Sequence, residues 1–214
     1  MKRRDWFFSM TIGLLISTSL AMAADPPVAK KEEPKQPPEI DQQEMMKLWM
    51  KVATPGKPHK LLQSAVGKWT TTSKMWMAGP DGPVTDSKGT AEFTSILGGR
   101  FIMHQTKGEL FGMPYEGLGL MGYDNYKKKY IMSWIDSSGT AMHTAQGTLD
   151  RTGKVITFYG TMDEFLTGEH DKAVKYVLRL VDDDKHIFEI HDLGIVDGKK
   201  ENTMVVQITY DRKK

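Results

Sequence analysis

From residue 68 to residue 212 the chain alternates between apolar and polar positions with a period of two. In one segment Val174, Tyr176 and Leu178 point one way, and Lys175 and Arg179 point the other. This alternation is typical of strands with one buried face and one face in water. Ten strands are predicted, at 68–77, 88–97, 100–108, 114–123, 127–136, 140–149, 154–162, 172–182, 185–195 and 202–212.

The predicted fold is all-β. Its strands are expected to be antiparallel because each has one polar face, and turn signals rich in Gly, Asp and Asn separate them. A flat sheet of about ten strands would leave two unpaired edges, which closure into a barrel removes. We therefore predict an antiparallel β-barrel over residues 67–214. Barrels wider than the smallest ones enclose a cavity.

Before the barrel, apolar residues recur at spacings of three and four, which predicts a helical lead-in over 40–66. Asp41 and Glu44 form a capping-box pair for a helix from Ile40 to Ala53. Its apolar face consists of Met45, Leu48, Trp49 and Val52. This face is predicted to pack on the barrel or plug its open end. The alternative is a surface that binds a partner or a membrane. A second short helix is predicted from His59 to Val66.

The first 39 residues are predicted to lie outside the fold. Residues 1–23 begin with three basic residues, continue with an apolar run and end at Ala21-Met22-Ala23, the pattern of a secretory signal peptide. An exported bacterial protein, periplasmic or extracellular, is expected. The apolar run is short for a membrane span, which favours cleavage over an anchor. Residues 24–39 form a linker rich in Pro, Lys and Glu, with five of the ten prolines.

Composition excludes several classes of function. The chain has no cysteine, so thiolate catalysis, cysteine zinc sites and a lipidated-cysteine anchor are excluded. Residues 1–23 hold three basic residues and one acidic residue, and the remaining chain has 26 of each sign. This balance gives no global attraction to nucleic acid. We expect no nucleic-acid partner and no stable membrane span after signal cleavage.

The histidines do not have the spacing of a metal site. His186 and His191 share a predicted strand, but five residues separate them, so they face opposite ways. No metal site is predicted, and no Gly-x-Ser-x-Gly nucleophile elbow is present. The glycines between Gly117 and Gly122 lie on a strand and not at a strand-to-helix turn. They indicate close backbone packing or sharp strand bending and not a phosphate site.

Glu116 lies within this glycine-rich strand. A carboxylate buried in a barrel needs a partner, and Arg100 is the predicted one. This structural pairing is favoured over general acid–base chemistry. No catalytic residue is predicted.

Two sets of motifs resemble known families. Gly67-Lys68-Trp69, placed between a short helix and the first strand, is similar to the start signature of lipocalins and other calycins. In those barrels the Trp packs at the closed end under a basic residue of the last strand, which implies that Arg212 covers Trp69. From His59 to Arg212 the chain resembles more specifically the domain of unknown function 1579 family, which is bacterial and often exported. The matching stretches are Gly67–Trp69, Gly98–Phe101, Gly112–Gly117, Gly122–Asp124, Lys129–Tyr130 and Trp134–Asp136.

This resemblance implies a calycin-like barrel and supplies no catalytic residues. The favoured hypothesis is that the barrel binds a small apolar or amphipathic molecule. Candidate ligand-binding residues, chosen by strand position, are His104, Tyr115, Glu116, Trp134, His143 and Tyr176. Haem bound through one of these histidines is a special case. One alternative is a small-molecule enzyme that uses Glu116 or a barrel histidine. Another is a protein-interaction domain that docks through the 41–53 helix.

Overall fold

The computed structural model describes residues 40–76, 79, 82–164, 167–196 and 199–214. The chain divides into two compact units, residues 1–39 and residues 40–214, and all described residues belong to the second. The predicted signal peptide (1–23) and linker (24–39) therefore lie outside the described residues. No helix within the described ranges is long and apolar enough to cross a membrane.

Two helices precede the strands, and a single-turn 3-10 helix at Leu97–Gly99 connects two of them. The helices are α1 (Gln42–Ala53) and α2 (Lys57–Gln63). The strands are β1 (Gly67–Trp76), β2 (Val84–Ile96), β3 (Phe101–Leu110), β4 (Met113–Asp124), β5 (Lys129–Asp136), β6 (His143–Leu149), β7 (Val155–Glu164), β8 (Glu169–Asp182), β9 (Lys185–Asp192), β10 (Ile195–Val196), β11 (Lys199–Lys200) and β12 (Thr203–Arg212).

Ten of these strands form a closed antiparallel barrel. Each strand from β1 to β9 pairs with the next, and β12 pairs with both β9 and β1. The short β10 and β11 form a separate two-stranded sheet. The predicted all-β barrel is confirmed, and each of the ten predicted strands overlaps one barrel strand. Closure leaves no unpaired edge in the barrel, as the length of the strand pattern indicated.

The two ends of the barrel differ. At the closed end α2 packs near the start of β3 and the end of β4, with Leu62 buried. The Trp69 ring is fully buried, and its Nε1 donates to the Ala65 carbonyl at 2.9 Å. The Arg212 guanidinium lies 4.1 Å from the centroid of the Trp69 ring. Arg212 covers Trp69, as the resemblance implied.

Helix α1 differs from its prediction in one respect. Asp41 caps it, accepting from the Glu44 backbone N–H at 2.8 Å, as expected. No residue of α1 is buried, however, and its apolar face packs against neither the barrel wall nor the open end. The helix touches the barrel at its C-terminal end, where Asn125 donates to the carbonyls of Val52 and Thr54. The prediction that this face packs on its own domain is wrong.

Candidate functional site

The middle of the barrel interior is lined by four rings from four different strands. They are Phe93, His104, Trp134 and Tyr210. The His104 imidazole stacks on Phe93, with centroids 4.2 Å apart and planes 8° apart. Its centroid lies 5.1 Å from Trp134 and 5.8 Å from Tyr210. This arrangement gives an aromatic cluster around one histidine, above the closed end.

Two glycines of β4 make room for the largest of these rings. A Cβ at Gly117 would lie 2.1 Å from Trp134 Cζ2, and one at Gly119 would lie 2.8 Å from Trp134 Cε3. Real Cβ atoms do not approach so closely, so the indole lies flat against the β4 backbone. The glycine-rich stretch therefore serves close backbone packing, as predicted. Gly122 does the same on the outer face, where Phe101 covers it.

Asp136 holds Trp134 in place from the neighbouring position on the inner face. Trp134 Nε1 donates to Asp136 Oδ2 at 2.9 Å, and the Ser138 backbone N–H donates to Oδ1 at 2.9 Å. Burial alone would raise the pKa of Asp136, but the hydrogen bonds from Ser138, Trp134 and Tyr115 outweigh it and lower that pKa. Burial and the Asp136 charge raise the pKa of Tyr115 well above its usual range. Asp136 is thus an anion beside a neutral phenol.

His104 is uncharged at neutral pH. Burial alone lowers its pKa from 6.5 to about 3, because no acidic group compensates for the loss of water. Burial also raises the pKa of Tyr210 and of Tyr176. The rings around His104 therefore form a neutral, aromatic environment with hydroxyl and imidazole groups in it.

Four buried polar atoms of inner-face residues have no hydrogen-bond partner. One, His186 Nε2, lies at the closed end against the Trp69 ring. The other three are His104 Nε2, the Tyr176 hydroxyl and Asp192 Oδ1, and a fifth unpaired atom, His191 Nδ1, belongs to an outward-facing residue. The other oxygen of Asp192 accepts from Lys172 Nζ at 2.8 Å, near the open end. Buried polar groups in native proteins are nearly always hydrogen-bonded, so each exception requires an explanation. A bound molecule or water inside the barrel would satisfy all three.

The apolar side chains of the interior differ in how completely they are buried. Apolar side chains that face inward by strand register remain partly accessible to solvent although the barrel is closed. They include Met121, Met132, Leu178, Phe188, Ile190 and Ile208. In contrast, Ile156 and Phe158 are fully buried, as Trp69 is at the closed end. Burial of the apolar side chains along the interior is therefore uneven.

The outer wall carries two further depressions. One, of about 600 Å³, lies between β4 and β7 and is lined by Leu120, Ile131 and Tyr159 among others. The other, of about 340 Å³, lies beside Glu116 and Ile135. Both are open to solvent. Neither is lined by His104, Tyr176 or Asp192, whose buried polar atoms lack hydrogen-bond partners. The interior, which holds the unpaired polar atoms, is therefore a better candidate for a binding site than either depression.

The structure places the sequence-predicted residues on different faces. His104, Tyr115, Trp134 and Tyr176 all belong to the inner face, and His143 lies at the rim, paired with Trp134 in the β5–β6 register. Glu116 does not belong to this set.

Glu116 points outward, with 67% of its side chain exposed, and pairs with Lys107 at 2.8 Å. Arg100 donates instead to the Leu97 carbonyl at 3.1 Å. The predicted pairing of Glu116 with Arg100 inside the barrel is wrong, because the alternation along β4 turns position 116 away from the interior.

Four residues of the site were missed from the sequence: Phe93, Asp136, Asp192 and Tyr210. Asp136 resembles an ordinary turn aspartate, and it does accept from the Ser138 backbone. Its second oxygen makes the contact to Trp134, which lies two residues before it. A spacing of two residues places both side chains on one face of a strand, so the sequence contained a signal for this contact.

A metal centre has no support in this part of the molecule. Among the described residues no group of three His, Asp or Glu side chains is close enough to hold a metal ion. His186 faces inward against Trp69, with ring centroids 4.4 Å apart. His191 faces outward and contacts Glu189 at 3.1 Å. The two histidines lie on opposite faces, as their spacing predicted.

The architecture defines the class of protein: a closed, calycin-like barrel with one covered end and a polar, aromatic interior. A family model described as "Protein of unknown function (DUF1579)" matches residues 54–212, and the chain belongs to this family. The family resemblance found in the sequence motifs is thereby confirmed. No curated protein matches the chain.

Solved structures show the same fold in distant proteins. One is Rv2717c from M. tuberculosis, with a TM-score of 0.53 and 15% identity, which covers 75% of this chain and 100% of its own. Another is the S-type phycobiliprotein lyase CPES from Guillardia theta, with a TM-score of 0.52 and 10% identity, which covers 74% of this chain and 94% of its own. At such identities the likeness concerns the fold.

Proposed function

We propose that this protein binds a small amphipathic molecule inside the open half of its barrel. One observation carries the proposal: the polar atoms His104 Nε2, Tyr176 hydroxyl and Asp192 Oδ1 are buried on the inner face without partners. An unsatisfied buried polar group costs about 1–3 kcal/mol, so a ligand that hydrogen-bonds to these atoms recovers that free energy. Few, well-placed polar groups in an apolar pocket are typical of small-molecule sites.

The rings indicate what kind of molecule fits. Trp134, Tyr210 and Phe93 present flat apolar surface around His104, which suits an aromatic or conjugated ligand. His104 is neutral, so it acts as a hydrogen-bonding group and not as a cation. The Lys172–Asp192 pair near the open end supplies the charged groups that an amphipathic ligand would meet at the entrance.

Catalysis is not part of this proposal. A general base works best when its pKa lies near the working pH, and a pKa of about 3 makes His104 a weak base. Glu116, the other candidate, lies outside the barrel in an exposed ion pair. The lyase named among the structural neighbours supports the use of such a barrel for a small molecule, on the fold alone.

Native mass spectrometry of the protein purified from its own host tests the proposal. We expect a bound mass that disappears on denaturation. Fractionation of the same cells tests the exported location that residues 1–23 support. If no mass is found, a panel of haem and amphipathic aromatic compounds, monitored by quenching of the protein's tryptophan fluorescence, is the second measurement.

His104→Phe and Glu116→Gln are the matched variants for either measurement. The first removes an inner-face polar group and is expected to weaken binding at least about tenfold, because a ligand polar group then loses its partner. The second changes the outer face and should leave affinity unchanged. An empty protein in several growth conditions that binds nothing in the panel would overturn the proposal.

A further inference from the structure

Helix α1 presents an apolar surface that no other part of the described chain covers. Met45, Leu48 and Trp49 are 54%, 51% and 58% exposed. Three more apolar residues of the same helix, Met46, Met50 and Val52, are also exposed. Single exposed apolar side chains are common, but a contiguous set on one helix marks an interaction surface.

The helix is folded and held at one end. Asp41 caps its N-terminus, and the Thr54 hydroxyl and backbone N–H bond to the Met50 carbonyl at the other. Asn125 then donates two hydrogen bonds, at 2.9 Å to Val52 O and at 2.8 Å to Thr54 O. Asn125 belongs to the β4–β5 turn, so these bonds fix the end of α1 to that turn. The apolar face stays free while the helix is preorganised for binding.

The charges near this face are balanced on α1, where Asp41 and Glu44 oppose Lys47 and Lys51, and become basic at the turn that holds the helix. Lys47 and Lys51, four residues apart, lie on the polar side of α1. The turn that holds the helix carries three consecutive exposed lysines, Lys127, Lys128 and Lys129. The one carboxylate of that turn, Asp124, accepts from the turn's own backbone N–H groups at Tyr126 and Lys127. Lys127, Lys128 and Lys129 therefore carry a net positive charge on the turn that Asn125 joins to the C-terminal end of α1.

We propose that α1 and the Lys127–Lys129 turn together bind the surface of an anionic phospholipid membrane. A helix with Trp, Leu and Met on one face and Lys on the other lies in the interface, with its apolar side among the headgroups and acyl chains. Trp is favoured at this depth because its ring is apolar and its N–H is polar. The neighbouring lysines complement anionic headgroups. This surface is separate from the barrel interior.

Vesicle co-sedimentation tests the inference. The protein used is residues 24–214, which omits the predicted signal and contains the whole compact unit. Vesicles of phosphatidylcholine alone are compared with vesicles that contain about one quarter phosphatidylglycerol, at low and high salt. We expect binding to the anionic vesicles and release by salt, because salt screens exposed charges. We also expect a blue shift of tryptophan fluorescence on binding that is absent from the Trp49→Ser variant.

Two variants separate the apolar and charged contributions. Leu48→Ser with Trp49→Ser removes apolar surface and is expected to reduce partitioning at least about tenfold. Lys127→Gln, Lys128→Gln and Lys129→Gln together should reduce it about a hundredfold, since each lysine near an anionic surface contributes about a fivefold change.

Matched controls lie at the other end of the barrel. Phe111, 54% exposed in the β3–β4 turn with a positive φ, is changed to Asn, which tolerates that conformation. Lys74→Gln with Lys88→Gln removes exposed charge from β1 and β2. Both controls should bind as the unaltered protein does.

Three results would overturn the inference. They are failure to bind anionic vesicles, equal binding to neutral vesicles, and undiminished binding by both α1 and lysine variants. A change of oligomeric mass in the Leu48→Ser, Trp49→Ser variant without any vesicle binding would assign the face to a second copy instead. None of these results affects the ligand-binding proposal, since the variants leave the interior unchanged.

Discussion

The closed end and the open half of the barrel are built from the same strands but satisfy their polar groups differently. At the closed end Trp69 Nε1 has a carbonyl partner, and Arg212 donates to the carbonyls of Ser64, Val66 and Asp183. In the open half His104 Nε2, the Tyr176 hydroxyl and Asp192 Oδ1 have none. At the closed end one buried polar atom also lacks a hydrogen-bond partner: His186 Nε2, whose ring lies against the Trp69 ring.

The difference matches the proposal that the closed end stabilises the fold and the open half binds a ligand. At the closed end the fully buried Trp69 has a hydrogen-bond partner and is covered by Arg212, an arrangement that stabilises a fold, although His186 Nε2 beside it has no partner. The open half has three buried polar atoms without partners, which reduce stability unless a ligand or water hydrogen-bonds to them. Four variants test this division, from the largest expected effect to the smallest.

Trp69→Ala should cause the largest loss. Its ring is fully buried and lies between Arg212 and His186, so truncation leaves a large cavity at the closed end. We expect a decrease of about 3–5 kcal/mol in the free energy of unfolding, measured by urea denaturation. Trp49→Ala, on the exposed face of α1, is the control and should change it by less than about 0.5 kcal/mol. Equal effects of the two would contradict the assignment of the closed end.

Gly117→Ala tests the close packing of Trp134. The added methyl would lie 2.1 Å from Trp134 Cζ2, so the ring or the strand must shift. We expect a destabilisation of about 2–3 kcal/mol, the usual effect of overpacking. Gly139→Ala is the control, since its Cβ would meet its nearest atom at 4.0 Å.

A double-mutant cycle sharpens this test. In a Trp134→Ala background the Gly117→Ala change should cost much less, because the atom it meets is gone. If the cost is the same in both backgrounds, the strain lies in the β4 backbone and not against the indole.

The pH dependence of stability tests the environment of His104. Its pKa is 6.5 when unfolded and about 3 when folded, so between these values the unfolded chain binds more protons. Its contribution to stability is therefore complete above pH 6.5 and is lost as the pH falls toward 3. Between pH 7 and pH 5 this loss is about 2 kcal/mol.

His104→Phe should remove that part of the pH dependence and keep the stacking on Phe93. Urea denaturation at pH 7 and pH 5 measures the difference. His170→Gln is the control, because the His170 side chain is 83% exposed near the start of β8. If His104→Phe loses as much stability as the unaltered protein between these two pH values, His104 is not a buried neutral group.

The fold could be predicted because its signals are local. Period-two alternation and Gly- or Asp-rich turns located all ten barrel strands, and Asp41 located the start of α1. Strand pairing follows from chain order in a barrel of this kind, so no long-range information was needed. The position of α1 depended on whether its apolar face had a partner. The spacing of apolar residues in a helix identifies an apolar face. It does not show which surface packs against that face.

The site was only partly predictable for the same reason. His104, Tyr115, Trp134 and Tyr176 were found because aromatic and imidazole side chains on strands are conspicuous. In the sequence Tyr210 and Phe93 are typical core residues. Their role in the site depends on the strand register, which places both rings against His104. Glu116 faces outward because Tyr115 and Gly117 face inward and neighbouring residues of a strand point to opposite faces.

Glu116→Gln should have the smallest effect and tests this parity argument directly. The Glu116–Lys107 pair is solvent-exposed on both sides, with 67% and 72% of the side chains accessible. Exposed ion pairs of this kind contribute little, so we expect a change of less than about 0.5 kcal/mol in unfolding free energy and an unchanged ligand mass. Asp136→Asn is the comparison, since its oxygen accepts from Trp134 Nε1 inside the barrel. If Glu116→Gln impairs binding more than Asp136→Asn does, the functional surface is the outer groove beside β4 and not the interior.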